Sequence, residues 1–391
     1  MKFCTKCVIP ETAESHSFDK SGSCSVCSQL EFKNKNIDWN SREQMFDNLL
    51  KNYRGKSDYD CILPFSGGKD SVFALWYVVK VKKLNPLVVR FDHNFLRDTV
   101  QKNTEKAIKK LNVDFLNIKP KFDVIKKVMI ESLYRRGDFC WHCHTGITAT
   151  PINIAIEKKI PLVIYGEPSA EYASFYSYDE FEEMNVDKFN KMVNLGINAE
   201  DMLGMVNERF PNDKITLEDL RPYVFPTKRE MIKHKIKACY LGNYFPWDVK
   251  KQVKIIKDEL EWEGTRVEGI PEMYDYEKIE CAMQGVRDYL RYIKRGFGRT
   301  SHLTSIDIRN KRMTREEAVK LVQMYDGKRP KALEYFLKIL GMNEDEFYKI
   351  ALAHVVYPHK PEDISLLKSK KTNQHLNDLD DWYMKFSKLN R

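Results

Sequence analysis

One junction constrains this chain more than any other feature. The apolar run Cys61-Ile62-Leu63-Pro64-Phe65 passes without a spacer into Ser66-Gly67-Gly68-Lys69-Asp70-Ser71, and Val72-Phe73-Ala74-Leu75-Trp76-Tyr77 follows with helical character. A strand that turns directly into a helix aims the helix's free N–H groups, and its partial positive charge, at whatever occupies the turn. Gly67 and Gly68 let the backbone approach an anion closely. Lys69 adds a full charge, and Ser66 and Ser71 add hydroxyl donors. Asp70 would repel a phosphate unless it binds a magnesium ion or caps the helix. The pattern is not a Walker loop, which needs four residues between its first glycine and Gly-Lys.

The surroundings predict an α/β fold. From 58 to 244 short β-branched runs alternate with helical patterns, as in a parallel sheet, with strands expected at Tyr59–Phe65, Leu87–Asp92, Asp114–Ile118 and Leu162–Gly166. Residues 1–32 are cysteine-rich and poor in large apolar side chains, 33–57 read as a helical linker, and 245–391 read as a helical region for substrate or partner binding. Thr314-x-x-Glu317 and Asn343-x-x-Glu346 have the layout of helix N-termini. Ser177 to Asn212 reads as an irregular insertion or lid. The charged C-terminal stretch around Lys368-x-Lys370-Lys371 reads as a loose tail or one amphipathic helix.

With 391 residues, 42% of them hydrophobic, the chain can bury a substantial core. No apolar run reaches the ~18 residues of a membrane span, and Met1-Lys2-Phe3-Cys4 does not open a secretory signal. A cytoplasmic location is expected. The net charge of +9 is spread along the chain and suits nucleic acid, a phosphorylated small substrate or an anionic partner without choosing among them.

Nine cysteines in a reducing compartment point to metal or redox chemistry, not disulfides. Cys4-x-x-Cys7 and Cys24-x-x-Cys27 have the spacing of a Cys4 zinc ribbon. A segment this short cannot fold on an apolar core, and structural zinc would stabilise it by roughly 10–16 kcal/mol. Cys140-Trp141-His142-Cys143-His144 leaves three readings open. It could form a second zinc site with His144 or Cys281, an iron–sulfur site with Cys239, or a reduced pair without metal. Haem attachment would require export.

The Ser66–Ser71 loop resembles the S-G-G-x-D-S loop of the ATP pyrophosphatase (PP-loop) superfamily, whose members cleave ATP between the α and β phosphates and adenylate an oxygen. The resemblance implies ATP and Mg2+ as cofactors, with ATP bound by Ser66, Gly67, Gly68, Lys69, Asp70 and Ser71. It places Phe91 and Asp92, at the end of the second strand, beside adenine, and Gly166 in the same site. Glu167 and Glu171 would take the acidic role near magnesium or the reacting group; the plainer reading is that they cap the following helix. Arg221-Pro222 resembles the Arg-Pro ahead of the last superfamily helix.

The whole chain resembles the N-acetyl sugar amidotransferase family of bacterial surface-polysaccharide and sialic-acid-like sugar pathways. The match is carried by Cys4-Thr5-Lys6-Cys7-Val8-Ile9-Pro10-Glu11-Thr12, the loop, Gly166-Glu167-Pro168-Ser169-Ala170-Glu171-Tyr172, Leu241-Gly242-Asn243-Tyr244-Phe245-Pro246-Trp247 and Lys294-Arg295-Gly296-Phe297-Gly298-Arg299. It implies adenylation of an acetamido oxygen on an N-acetyl sugar, nucleotide-linked or nonulosonic, and replacement of that oxygen by ammonia. Lys69, Asp70, Glu167 and Glu171 would be catalytic. No N-terminal nucleophile cysteine and no G-x-C-x-G elbow outside the zinc knuckle is present, so the family implies a separate glutaminase subunit, in some systems with a cyclase-like barrel that conducts ammonia. Arg287, Arg291 and Lys294 recur on one helix face, with Arg295 and Arg299 beyond, as a clamp for phosphate or carboxylate or as a solvated basic face. Two rivals remain. A PP-loop tRNA thiolase would use the central C-x-x-C, but the His-Asn and paired aspartates expected at Gly166-Glu167 are missing and tRNA is not an expected partner. A nucleotide-binding adaptor without turnover would not need both Lys69 and Asp70.

Overall fold

The computed structural model describes residues 1–171, 176–374 and 376–389. Tyr172, one of the residues carrying the family resemblance, lies outside them.

Five strands form one parallel sheet: β1 Cys61–Pro64, β2 Pro86–Phe91, β3 Asp114–Ile118, β4 Leu162–Tyr165 and β5 Lys237–Tyr240, in the order β3-β2-β1-β4-β5. The register pairs Cys61 with Pro86, Leu87 with Asp114 and Leu162 with Lys237. Parallel strands need covered faces. Accordingly β2 is buried along its whole length, and Ile62, Leu63, Val88, Val89, Val163 and Ile164 are fully inaccessible. The four expected strands are present, β3 with the expected bounds and the others with ends shifted by at most two residues. β5 was not anticipated, because Lys-Ala-Cys-Tyr contains no β-branched residue. It is defined by its pairing with β4.

The strand order reverses at β1. β2 and β3 lie to one side, β4 and β5 to the other, which opens a crevice at the carboxyl ends of β1 and β4, where ligands bind in open α/β sheets. The loop leaves β1 and Gly166-Glu167 leaves β4, so both meet there.

The stretch 177–212, expected as an irregular insertion or lid, is largely ordered cover. Met184 donates its N–H to Ala238 O at 2.9 Å along the outer edge of β5, Met184 and Phe189 pack on the sheet, and Ala199–Arg209 is a helix begun by an Asn198 capping box. The C-terminal region is helical as expected. Thr314 and Glu317 form a reciprocal capping box, and Asn343 accepts from Glu346 N–H at 2.8 Å. The helices Val249–Leu260, Gln284–Arg295 and Arg299–Arg309 close over the crevice. The last described helix, Asn377–Leu389, buries Leu379, Trp382 and Phe386 with Phe95 and Ile125, and Trp382 Nε1 donates to Leu96 O at 3.0 Å. No helix among the described residues is long and apolar enough to cross a membrane.

Candidate active site

The loop after β1 is built as its sequence requires. Gly67 has φ +84°, and a Cβ there would lie 2.7 Å from Val100 Cγ1. Gly68 is the N-cap of the Lys69–Trp76 helix, whose first intrahelical bond is Val72 N–H to Gly68 O at 3.0 Å. The amides of residues 69–71 therefore lie in the first turn, without carbonyls of their own to pair with. Ser71 Oγ accepts from Ser66 N–H (3.1 Å) and Gly67 N–H (3.2 Å), and Trp262 Nε1 holds Gly67 O at 3.1 Å.

Lys69 is buried, with side-chain exposure of 7%, and its Nζ lies 2.8 Å from both Asp70 Oδ2 and Glu277 Oε2. Burial alone would push the ammonium's pKa down, but Asp70 and Glu277 outweigh it and hold it well above the ordinary lysine value. Glu277 answers in kind: burial opposes its charge, yet Lys69 holds the carboxyl well below its usual range. Glu167 faces the same cavity, and burial, then the Asp70 charge, raises its pKa to about 8. With no metal ion beside it, this carboxyl favours its protonated form. Asp70 Oδ1 is buried without a hydrogen-bond partner, as suits a carboxylate oxygen reserved for a cation.

The cavity over the loop encloses about 630 Å³. Ser66, Lys69, Asp70, Ser71, Phe91, Gly166, Glu167 and Glu171 line it, as do Arg287, Arg291 and Arg299. Opposite charges alternate from the loop to this basic wall: Lys69 to Glu277, Glu277 to Arg299 (3.7 Å), Arg299 to Asp288 (3.3 Å) and Asp288 to Arg291 (2.8 Å). Burial and then the Arg299 charge lower the Arg291 pKa to about 10. The buried Nε atoms of Arg287 and Arg291 have no hydrogen-bond partner, leaving donors for an anionic ligand.

Several expected residues stand elsewhere. Lys294 is buried and does not line the cavity. Arg295 turns to the N-terminal segment, donating to Thr12 O at 2.6 Å and pairing with Glu14 at 2.9 Å. Asp92 does not line the cavity and accepts from Asn94 N–H at 2.8 Å. Glu171 is on the wall, but Lys33 and the Tyr178 hydroxyl engage its carboxylate. Glu277, Glu280 and Asp288 were not anticipated. In the sequence Glu277-Lys278-Ile279-Glu280 looks like a solvated turn, and only the fold carries it to the loop.

Cys4, Cys7, Cys24 and Cys27 are buried together, with their sulfurs within 4.8 Å of one another. Cys4 Sγ accepts from Cys24 N–H at 3.2 Å and from Cys7 N–H at 3.4 Å. Four convergent thiols with amide donors to sulfur fit a structural metal ion. Of the readings open for Cys140 and Cys143, the structure shows where the two thiols stand. Both line the cavity with Cys281, but the four N-terminal cysteines are the only ligand set of three or more among the described residues. Cys239 cannot join them, because β5 buries it in the sheet core with Cys61.

The N-terminal knuckles are part of the site. Ile9, Ala13 and His16 line the cavity, Phe297 packs among the four cysteines, and Arg315 Nε donates to Cys7 O at 3.3 Å.

Residues 268–375 match a protein family described as "LPS biosynthesis protein WbpG-like, C-terminal domain". That WbpG-like segment contains Glu277, Glu280 and the whole basic wall, whereas the phosphate loop lies outside it. Over 67 residues the chain is 43% identical to "Uncharacterized protein MJ1599" of Methanocaldococcus jannaschii, which is 17% of this chain and 24% of that protein, so the chain spans about a quarter of the relative's length. Among the solved structures that resemble it are two with low overall similarity. The NH3-dependent NAD synthetase from Campylobacter jejuni has a TM-score of 0.30 at 12% identity, covering 71% of this chain and 95% of that one. The NMN synthetase from Francisella tularensis has a TM-score of 0.27 at 11% identity, covering 59% and 99%. Similarity at that level says nothing about the chemistry of this chain.

Proposed function

We propose that the cavity is the synthetase site of an ATP-dependent amidotransferase acting on an N-acetyl sugar of surface-polysaccharide biosynthesis. The observation that carries the reading is the meeting of the Ser66–Ser71 loop with Glu167 at the sheet's switch point, facing a basic wall within the WbpG-like segment. An amide carbonyl is a poor electrophile whose oxygen leaves badly. Attack of the acetamido oxygen on the α-phosphorus of ATP releases pyrophosphate and gives an O-adenylyl imidate. Ammonia then adds at carbon, AMP departs with the oxygen, and an amidine remains.

Lys69 and the first-turn amides stabilise the negative charge that grows on the departing pyrophosphate. A magnesium ion held by Asp70 and Glu167 would offset the remainder. Arg287, Arg291 and Arg299 hold the phosphate or carboxylate of the sugar substrate, so that its acetamido group reaches the loop. The four N-terminal thiols hold zinc as a structural ion. Ammonia comes from a separate glutaminase subunit, in the manner of the family this chain resembles.

The test is product mass spectrometry with ATP, Mg2+, ammonium salt and a panel of N-acetyl sugars. The expected product is lighter by the difference between an oxygen and an NH group, formed with AMP and pyrophosphate and only when ATP is present. Turnover with tRNA and sulfide instead would replace this reading with the thiolase one, for which Cys140 and Cys143 on the cavity wall are the supporting observation.

A further inference from the structure

The phosphate cradle already has an anion in it. Glu280 Oε1 fills the space a Cβ on Gly68 would take, so the carboxylate rests directly against the loop backbone at the N-terminus of the Lys69–Trp76 helix. Ser66 Oγ is 3.3 Å from the same oxygen. Glu277, from the same segment, takes Lys69 at 2.8 Å. Glu280 thus lies against groups suited to a phosphate, a helix N-terminus and a serine hydroxyl, beside the ammonium that Glu277 holds.

Both carboxylates come from Tyr276–Met283, a strap with defined anchors. Glu277 N–H bonds Tyr274 O at 2.9 Å at one end. At the other, Cys281 bridges to Leu96 and Ala282 N–H bonds Phe95 O at 2.9 Å. The Gln284–Arg295 helix, which carries Arg287 and Arg291, begins immediately afterwards. A phosphate oxygen and the Glu280 carboxylate cannot share the space over Gly68, and two anions side by side there would repel each other.

We propose that Glu280 is an internal competitor for the phosphate cradle, and that the strap must withdraw it before ATP can bind. The inference rests on the ATP reading of the loop and adds a closed state to it. Nucleotide affinity is then the intrinsic affinity reduced by the fraction of molecules whose strap is open. The strap leads into the helix of the basic wall, so withdrawal of Glu280 moves the start of the element that grips the substrate anion. Loading of nucleotide and loading of substrate share one hinge.

The test is calorimetric binding of α,β-methylene-ATP with Mg2+ to the full-length wild-type protein and to Glu280→Gln, which keeps the shape and removes the charge. A strap closed in about nine molecules of ten predicts about tenfold tighter binding by the variant. Unchanged or weaker binding overturns the proposal, and weaker binding would mark Glu280 as a ligand of the nucleotide's metal ion. Hydrogen exchange on the wild type is the second measurement and does not depend on the variant folding. Amides of residues 276–283 should exchange faster once nucleotide is added, and slower or equal exchange counts against withdrawal. If neither protein binds nucleotide, the ATP reading falls and takes this one with it. If wild type binds and the variant binds no better, only the role of Glu280 falls.

Discussion

Lys69 Nζ lies 2.8 Å from Glu277 Oε2, which joins the phosphate loop after β1 to a carboxylate from the C-terminal helical region. A buried ammonium needs such partners, because an unpaired charge in this position would cost several kcal/mol. The pair also means that the loop's cation is held in place before any nucleotide arrives.

Lys69→Ala leaves Glu277 only the Arg299 ion pair, at 3.7 Å, so it should lose several kcal/mol of stability. The protein that folds should release pyrophosphate about 10²- to 10³-fold more slowly, the scale for removing one preorganised charge-stabilising donor. Glu277→Gln keeps the lysine and loses its orienting partner, so its loss should be smaller, about tenfold. A coupled pyrophosphate-release assay measures both. Wild-type rates in Lys69→Ala would remove the loop from the chemistry.

Glu167 gives a pH signature. Its proton persists to about 8 and must leave before the carboxylate can bind a metal ion. Magnesium affinity should rise about tenfold per pH unit below that value and level off above it, because metal binding releases the proton. Magnesium titrations of activity across this range provide the check, with Glu167→Gln expected to be weaker and insensitive to pH. A flat wild-type profile would take Glu167 out of the metal site.

The four-thiol cluster should hold one zinc ion that Cys4→Ser combined with Cys7→Ser abolishes. Because Ile9, Ala13 and His16 line the cavity, the variant should also loosen that wall and expose Phe297. Elemental analysis and protease sensitivity near the N-terminus report both effects. Metal-free protein with an intact, protease-resistant N-terminal segment would contradict the assignment.

Acid should weaken the fold well above the pH at which carboxylates titrate. Burial keeps His142 neutral down to about 3 and His93 down to about 4. In the unfolded chain each takes a proton near ~6.5. Below that pH the unfolded state binds more protons, so stability is full above about 6.5 and falls as the pH drops toward the folded values. The loss should reach about 2 kcal/mol per histidine by about pH 5. Urea unfolding against pH tests this, and His142→Gln should flatten part of the slope.

What the sequence made legible was what sits close together in it. The loop, the two C-x-x-C knuckles and the helix starts at Thr314 and Asn343 are each written within a few consecutive residues, and each is present in the structure. The basic face was legible in part. Arg287 and Arg291, one turn apart, both reach the cavity, but Lys294 lies ~10 Å further along the helix than Arg287, beyond the cavity wall. Arg295 is drawn away by Thr12 and Glu14, partners from the far end of the chain. β5, Glu277 and Glu280 were illegible for the same reason. Their roles come from pairing with residues remote in sequence, and no local pattern of polarity records such a pairing.

The knuckles that hold four sulfurs also hold one wall of the cavity, and this gives the site a second vulnerability. Cys4 Sγ and Cys27 Sγ are 4.0 Å apart. A disulfide between them would close that gap to ~2.0 Å and expel any metal ion bound there. Ile9, Ala13 and His16 would move with the sulfurs. Oxidative stress can thus disable the site without reaching the phosphate loop, and a reductant together with metal would restore it.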